Sequence, residues 1–77
     1  MKELIEFIAK ALVDNPAAIS TSEEEDADGI ILVKLVAARE DMGRIIGKQG
    51  RTAKAMRTLL NAKATREHKR AVLQILE

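Results

Sequence analysis

The sequence predicts an α+β domain with the element order αββααβ, in which three helices pack on one face of a three-stranded sheet. Apolar residues recur at helical spacing in three segments, whereas the apolar runs "IILVKLVA" and "AVLQIL" are typical of strands. With 77 residues the chain is long enough for one domain, so we expect residues 1–77 to fold as a single unit.

The first half of the chain predicts a helix followed by a β-hairpin. Residues 2–13 form an amphipathic helix, which ends at 14–16 because the residue before a proline disfavours helical dihedrals. Residues 18–25 predict a polar edge strand, and residues 30–37 predict a strand that is largely apolar on both faces. The turn-forming sequence Asp-Ala-Asp-Gly at 26–29 joins them as an antiparallel pair. The side chains of the first helix that we expect in the core are Leu4, Ile5, Ile8 and Leu12, together with Phe7 at the edge of this apolar face.

The second half predicts two helices and a last strand. A short helix is expected from about 39–46 and a longer one from about 51–64, with the glycine-containing sequence "GKQG" between them. A polar link leads from the longer helix to a strand at 71–76. The side chains that we expect to face the core are Met42, Ile45 and Ile46 in the short helix and Ala53, Met56, Leu60 and Ala64 in the longer one, with Leu59 beside them.

Composition narrows the classes of function. The chain has no cysteine, which excludes disulfides and thiolate metal sites, and no apolar run approaches the ~20 residues of a membrane span. The only histidine, His68, has no surrounding cluster of acids that would complete a catalytic or metal site. We therefore expect a cytoplasmic protein that is not an enzyme, uses no cofactor or metal, and binds no membrane.

Charge is divided unevenly along the chain. Residues 1–42 contain four cations and ten acids, a net charge of −6, whereas residues 43–77 contain nine cations and two acids, a net charge of +7. This asymmetry is typical of a protein that binds a polyanion with one face. The alternative is that the two halves only neutralise each other in the folded domain.

The segment "GRIIGKQGRTAKAMRTLL" at 43–60 concentrates both glycine and positive charge. Gly47 and Gly50 bracket two residues between the predicted helices, where they can adopt dihedrals that other residues avoid. The following helix would present its free N–H groups and positive dipole end at this loop, an arrangement that binds phosphate. Lys48 lies within the loop, and the other cations of the segment are Arg44, Arg51, Lys54 and Arg57.

Two alternatives from other classes fit part of this pattern. The helix at 51–64 would enter a DNA major groove if the segment were a helix-turn-helix, although such turns rarely need two glycines around a lysine. The domain would instead be a protein-interaction subunit if the loop had lost its ligand, although an intact Gly-Lys-Gln-Gly sequence argues against this. Competition between duplex DNA and single-stranded RNA separates the first alternative from RNA binding.

The sequence "IIGKQG" resembles the I-G-x-x-G motif of the K-homology (KH) domain. Over essentially its whole length, and above all in "VAAREDMGRIIGKQGRTAKAMRTLL", the chain resembles the KhpA family of small bacterial single-KH RNA-binding proteins. The predicted αββααβ order corresponds to the type II KH arrangement of that family. The polar sequence "STSEEE" is a departure, because it offers few core residues at the start of the sheet.

The resemblance implies single-stranded RNA as the ligand, held in a groove for about four nucleotides with the G-x-x-G loop as one wall. It further implies a homodimer, a possible heterodimer with a Jag-type (KhpB) KH protein, and a role as an RNA chaperone or post-transcriptional regulator. A KH groove does not need base-stacking aromatics, which this chain, with Phe7 alone, could not supply. By motif match and position, the predicted RNA-binding residues are Gly47, Lys48, Gln49 and Gly50 in the loop, Ile45 and Ile46 at the apolar side of the groove, and Arg44, Arg51 and Lys54 as phosphate contacts.

Overall fold

Three α-helices and a three-stranded sheet follow one another in the predicted αββααβ order in a computed structural model that describes all 77 residues. Short 3-10 turns precede β1, α2 and α3. None of the helices combines the length and the apolar character needed to cross a bilayer. The elements are α1 (Lys2–Leu12), β1 (Ser20–Glu25), β2 (Ile30–Val36), α2 (Met42–Ile46), α3 (Arg51–Arg66) and β3 (Arg70–Leu76).

The sheet has the strand order β1-β2-β3, with β2 in the centre. The predicted hairpin is confirmed, because β1 pairs antiparallel with β2. The last strand pairs parallel with β2, so α2, the glycine loop and α3 together form the crossover between two parallel strands. In this register Val33 lies between Glu23 of β1 and Leu73 of β3.

All three helices cover the same face of the sheet, as the sequence predicts. Burial alternates along β2, where Ile31, Val33 and Leu35 are buried and the residues between them are only partly buried. The core cluster on that face joins these side chains to residues from every helix, among them Ile5, Ala9, Ile45, Met56 and Leu60.

The opposite face of the sheet carries no helix and retains apolar surface. Val72 is 53% exposed and Leu76 is 36% exposed, and the register places them beside Leu32 and Val36 on this open face. Lys34 lies on the same face with its ammonium 3.5 Å from the Glu24 carboxylate. The open face therefore combines an apolar half on β2 and β3 with a polar edge on β1.

The polar strand β1 is held by a contact that compensates for its few apolar side chains. Ile19, just before the strand, is buried, and the Glu23 carboxylate accepts the backbone N–H of Lys2 at 2.8 Å. This hydrogen bond, together with the charge of the chain's amino terminus, lowers the pKa of Glu23. One acid of "STSEEE" thus anchors the first turn of α1 to the sheet.

The prediction that Phe7 belongs to the core is wrong. Its side chain is 75% exposed, whereas Ile5 and Ala9 of the same helix are completely buried. Because each helical residue advances about 100°, Phe7 lies roughly 200° from Ile5 and points away from the sheet. Leu12, the last residue of α1, is also exposed, at 37%, beyond the buried pair.

Two helix boundaries differ from the predicted ones by more than one residue. The short helix begins at Met42 because residues 39–41 form a 3-10 turn, and α3 continues to Arg66, two residues beyond the prediction. The end of α3 is closed by His68 at φ 57° and by a hydrogen bond from the Lys69 N–H to the Ala64 carbonyl at 2.8 Å. Glycine is the usual residue in the left-handed conformation at such a helix end. Because His68 holds this position here, the sequence did not indicate where α3 ends.

Candidate nucleic-acid interface

The loop between α2 and α3 turns the chain through backbone conformations with positive φ. Gly47 has φ 77° and ψ 170°, Gln49 has φ 58°, and Gly50 has φ 73°. The Gly47 combination is essentially restricted to glycine, and residues with a side chain seldom adopt the other two. The turn leaves the side chains of Lys48 and Gln49 exposed to solvent.

The two loop glycines serve different purposes. A Cβ on Gly47 would collide with Thr52, because it would lie 2.6 Å from the Thr52 Cβ and 2.9 Å from the Thr52 backbone nitrogen. A Cβ on Gly50 would have no neighbour within 4 Å. The fold therefore needs a glycine at position 47 for packing, whereas the space beside Gly50 is open for another molecule to approach the backbone.

The N-terminus of α3 is open to an anion. No side chain caps it, and its first turn contains no acidic residue. The N–H groups of that turn consequently have no side-chain acceptor, and the positive end of the dipole of this 16-residue helix lies beside the glycine loop. A phosphate placed there would gain both hydrogen bonds and a favourable charge interaction.

Four exposed cations follow one another at intervals of three residues from the loop into α3: Lys48, Arg51, Lys54 and Arg57. None of them has an acidic partner within ion-pair distance. Two cations farther along the basic half do have partners. Lys69 lies 3.0 Å from Glu25, whose carboxylate raises the pKa of Lys69, and Lys63 lies 3.3 Å from Glu67. Neutralisation of the acidic half therefore accounts for Lys69 but leaves the positive charge of the loop unbalanced.

Arg44 differs from the other predicted phosphate contacts. Its guanidinium lies 3.0 Å from the Asp14 carboxylate and 4.0 Å from that of Asp41. The side chain is 55% exposed, so it remains accessible at the surface of α2. Arg44 thus lies in α2, one turn before the loop, with acidic partners.

The two isoleucines before the loop have separate environments. Ile45 is completely buried in the core, where it contributes to the support of α2. The prediction that Ile46 faces the core is wrong, because its side chain is 41% exposed, and it is the one of the pair that offers apolar surface next to the loop.

Comparison with known proteins identifies this combination of fold and loop. The family model for the KH domain of KhpA and KhpB matches residues 2–75 of the chain. The chain belongs to the KhpA/KhpB KH-domain family. The α+β fold is therefore that of a KH domain, and the loop between α2 and α3 lies within the matched region. The helix-turn-helix alternative does not agree with this fold.

Curated relatives in this family match the chain along almost all of its length. The RNA-binding protein KhpA of Clostridium acetobutylicum is 53% identical over 99% of this chain and 100% of its own length. The RNA-binding protein KhpA of Caldanaerobacter subterraneus is 51% identical with the same coverage. The protein of the same name from Treponema pallidum is 42% identical over 99% of this chain and 94% of its own length. The family is thus one of RNA-binding KH proteins rather than a family of enzymes.

The sequence did not reveal the role of Asp41 next to this KH loop. Its side chain is 1% exposed, and its two carboxylate oxygens accept the backbone N–H groups of Asp14 and Asn15, each at 3.2 Å. In the sequence, Asp41 is recognisable only as an acid near the start of the helix expected at about 39–46. Its partners lie 26 and 27 residues away, and no local pattern predicts them.

Gly43 is a further residue that the fold alone does not explain. It lies exposed in α2, its φ is not positive, and a Cβ there would have no neighbour within 4 Å. A glycine inside a helix usually destabilises it by about 1 kcal/mol relative to alanine.

Proposed function

We propose that the protein binds single-stranded RNA and holds the phosphate backbone with the Gly47–Gly50 loop. The observation that carries this proposal is the set of unpaired cations around an uncapped helix N-terminus. Backbone N–H groups and mobile lysine or arginine side chains are the usual ligands of nucleic-acid phosphates. The family name supports RNA as the polyanion.

Each predicted site residue takes a specific part in this proposal. Gly50 allows the RNA backbone to approach the N-terminus of α3, and Gly47 makes the turn that exposes the loop. Lys48 and Gln49 contact phosphates from the loop. Arg51 and Lys54 continue the contacts along α3, Arg44 adds one from α2, and Ile46 faces the bases while Ile45 supports it from the core.

Recognition of bases in this site would rely on aliphatic contacts and backbone groups. The only aromatic residue, Phe7, is exposed on α1 rather than in the segment that carries the loop. Stacking on aromatic side chains is therefore not available to the loop. A grip on the backbone with few base contacts suits an RNA chaperone or post-transcriptional regulator that acts on many transcripts in the cytoplasm.

RNA affinity is expected to fall steeply with salt. If about four phosphates are contacted, the slope of log K against log salt is about −3 for a single strand. Raising salt from ~50 to ~200 mM then weakens binding roughly 50-fold. Fluorescence anisotropy with a labelled, unstructured RNA measures this slope.

Duplex DNA of the same length is the matched competitor in that titration. It should displace the RNA poorly, because its phosphates are fixed in a regular helix, whereas a single strand can adapt its backbone to the loop. A salt-independent affinity, or equal competition by the duplex, would contradict binding of a single strand by the loop.

We also propose that two copies associate through the exposed surface of α3. Leu59 is 50% exposed and lines a shallow, largely apolar depression of about 450 Å³ together with Arg51, Lys54, Ala55 and Thr58. Only 14 of the 77 residues are buried, and a small domain with so limited a core often gains stability by association. Because Arg51 and Lys54 also line this depression, the proposed contact lies directly beside two of the cations proposed to bind RNA.

The wild-type protein is therefore expected to sediment as a particle of about 17 kDa, twice the monomer mass of 8.5 kDa, at micromolar concentration. Leu59→Asp should convert it to the monomer, because a symmetric contact would bury the aspartates of both copies close together in an apolar interface. Analytical ultracentrifugation measures both masses.

Val72→Asp is the matched control, since Val72 is similarly exposed but lies on the open face of the sheet. A wild-type monomer whose melting temperature does not depend on concentration would disprove the homodimer. Dissociation by Val72→Asp but not by Leu59→Asp would place the contact on the sheet instead.

A related KH domain is the second partner that we propose for this surface. The matching family model describes KhpA and KhpB together, so a KhpB-type domain is expected to present a similar fold. A dimer of either kind would carry two loops and bind a long RNA more tightly through effective concentration. If the protein acted only as an interaction subunit, disruption of the loop would leave its function unchanged.

A further inference from the structure

A buried carboxylate ties the segment after α1 to the start of α2. Asp41 accepts the backbone N–H groups of Asp14 and Asn15, and no buried side-chain polar atom in the chain lacks a hydrogen-bond partner. Because the donors are backbone groups, this connection does not depend on the side chain at position 14. It fixes that residue beside α2 in the folded protein.

Fixed in this way, the Asp14 side chain faces Arg44. Their closest atoms, Asp14 Oδ2 and Arg44 Nη2, are 3.0 Å apart, while Arg44 Nε lies 4.0 Å from Asp41 Oδ1. Among the cations from position 43 to position 57, Arg44 alone has an acidic partner. Arg44 therefore differs from the other cations of this segment, because the fold holds the Asp14 carboxylate against its guanidinium.

We propose that Asp14 is an affinity-determining residue of the RNA site, which competes with an RNA phosphate for Arg44. This inference rests on the proposed function of the loop. Asp14 is 77% exposed and Arg44 is 55% exposed, so a phosphate can reach the guanidinium from solvent. An exposed ion pair is weak enough for a phosphate to displace it.

Asp41 has a separate part in the exchange. Its buried carboxylate lies on the Nε side of the guanidinium and cannot leave, because it holds two backbone N–H groups. When the phosphate takes the place of Asp14 at Nη2, Arg44 keeps this second partner and stays oriented. Asp41 is thus a positioning residue, and only the Asp14 contact has to be broken.

Removal of the Asp14 carboxylate is expected to tighten RNA binding. Asp14→Asn leaves the backbone N–H that binds Asp41 in place, so the fold is retained, and the affinity for an unstructured single-stranded RNA should rise about two- to five-fold. Asp14→Ala, which removes the acceptor altogether, should give an increase at least as large. Fluorescence anisotropy at low salt measures these affinities, with circular dichroism to verify the fold.

Two matched variants separate competition at Arg44 from a general effect of charge. Glu40→Gln changes the net charge by the same amount at an exposed, unpaired acid close to α2, and it should change affinity less than Asp14→Asn does. In the background of Arg44→Gln, Asp14→Asn should give no more than the Glu40→Gln increase, because the contested cation is gone.

Equal effects of Asp14→Asn and Glu40→Gln, or an undiminished effect of Asp14→Asn in the Arg44→Gln background, would overturn the competition. If wild-type protein binds RNA with the expected salt dependence while Asp14→Asn changes nothing, only this inference fails. Absence of RNA binding by the wild-type protein would refute the proposed function and this inference together.

Discussion

Replacement of Lys48 and Gln49 by two aspartates is expected to abolish single-stranded RNA binding without unfolding the protein. Both side chains are exposed and make no contact that the fold requires. Aspartate also tolerates the left-handed conformation of position 49, where φ is 58°. The change acts on the ligand, because two carboxylates would stand where phosphates are proposed to lie.

The expected loss is large. A hydrogen bond to a charged group contributes about 1.5–3 kcal/mol, so loss of the Lys48 contact alone would weaken binding about 10- to 150-fold. Repulsion between the new carboxylates and the RNA backbone adds to this loss. Titration of labelled RNA measures it, and circular dichroism verifies that the variant keeps the native helix content.

Asn61→Asp combined with Lys63→Asp is the matched control for this variant. It changes the net charge by the same −3, at exposed positions in the second half of α3. These positions lie more than ten residues from the loop, roughly 16 Å along the helix axis. Similar losses in the two double variants would mean that overall charge, rather than the loop, determines RNA affinity, and unchanged affinity in the loop variant would refute the proposed grip.

The second large effect is expected on stability. Gly47→Ala forces a side chain into φ 77° and ψ 170° and pushes its Cβ against Thr52. A sparsely populated backbone conformation costs about 1–3 kcal/mol, and overpacking costs about as much again. Since a domain of this size is stabilised by only about 4–12 kcal/mol, the melting temperature should fall by about 10–30 °C or the protein should fail to fold.

The other two glycines of the segment are matched controls for Gly47→Ala in thermal denaturation. Gly50→Ala meets no neighbour but keeps φ at 73°, so a smaller loss of about 1–2 kcal/mol is expected. Gly43→Ala should leave the protein as stable or raise its stability by about 0.5–1 kcal/mol, because Gly43 lies in a helix with open space around it. Equal melting temperatures for the Gly47 and Gly50 variants would contradict the packing role of Gly47.

The different roles of these three glycines could not be predicted from the local sequence. All three look alike in the sequence, as small residues in a basic segment. Their differences arise from the position of Thr52, from the left-handed turn and from the open space at the surface, each of which depends on how α2 and α3 meet. A sequence pattern can therefore predict the loop but not which glycine the packing requires.

The order of elements, the glycine loop and the cations that follow it were determined by the sequence alone. Helical and strand periodicity, turn residues and charge are local properties, and they predicted α3, β2 and the hairpin in nearly the observed positions. Resemblance of the loop motif to the KH family then predicted the fold that the family model confirms. These features need no knowledge of distant contacts, which explains why they could be predicted.

Only the tertiary structure decided which side of each helix and strand is buried and which is exposed. The exposure of Phe7, the parallel pairing of β2 with β3 and the burial of Asp41 all depend on contacts between segments far apart in sequence. The same holds for Arg44 in α2, whose acidic partner Asp14 lies far away in sequence, in the segment after α1. The periodicity of apolar residues in the sequence predicts which residues share a face. The packing of the helices against one side of the sheet decides whether that face lies in the core, is exposed to solvent or forms a binding site.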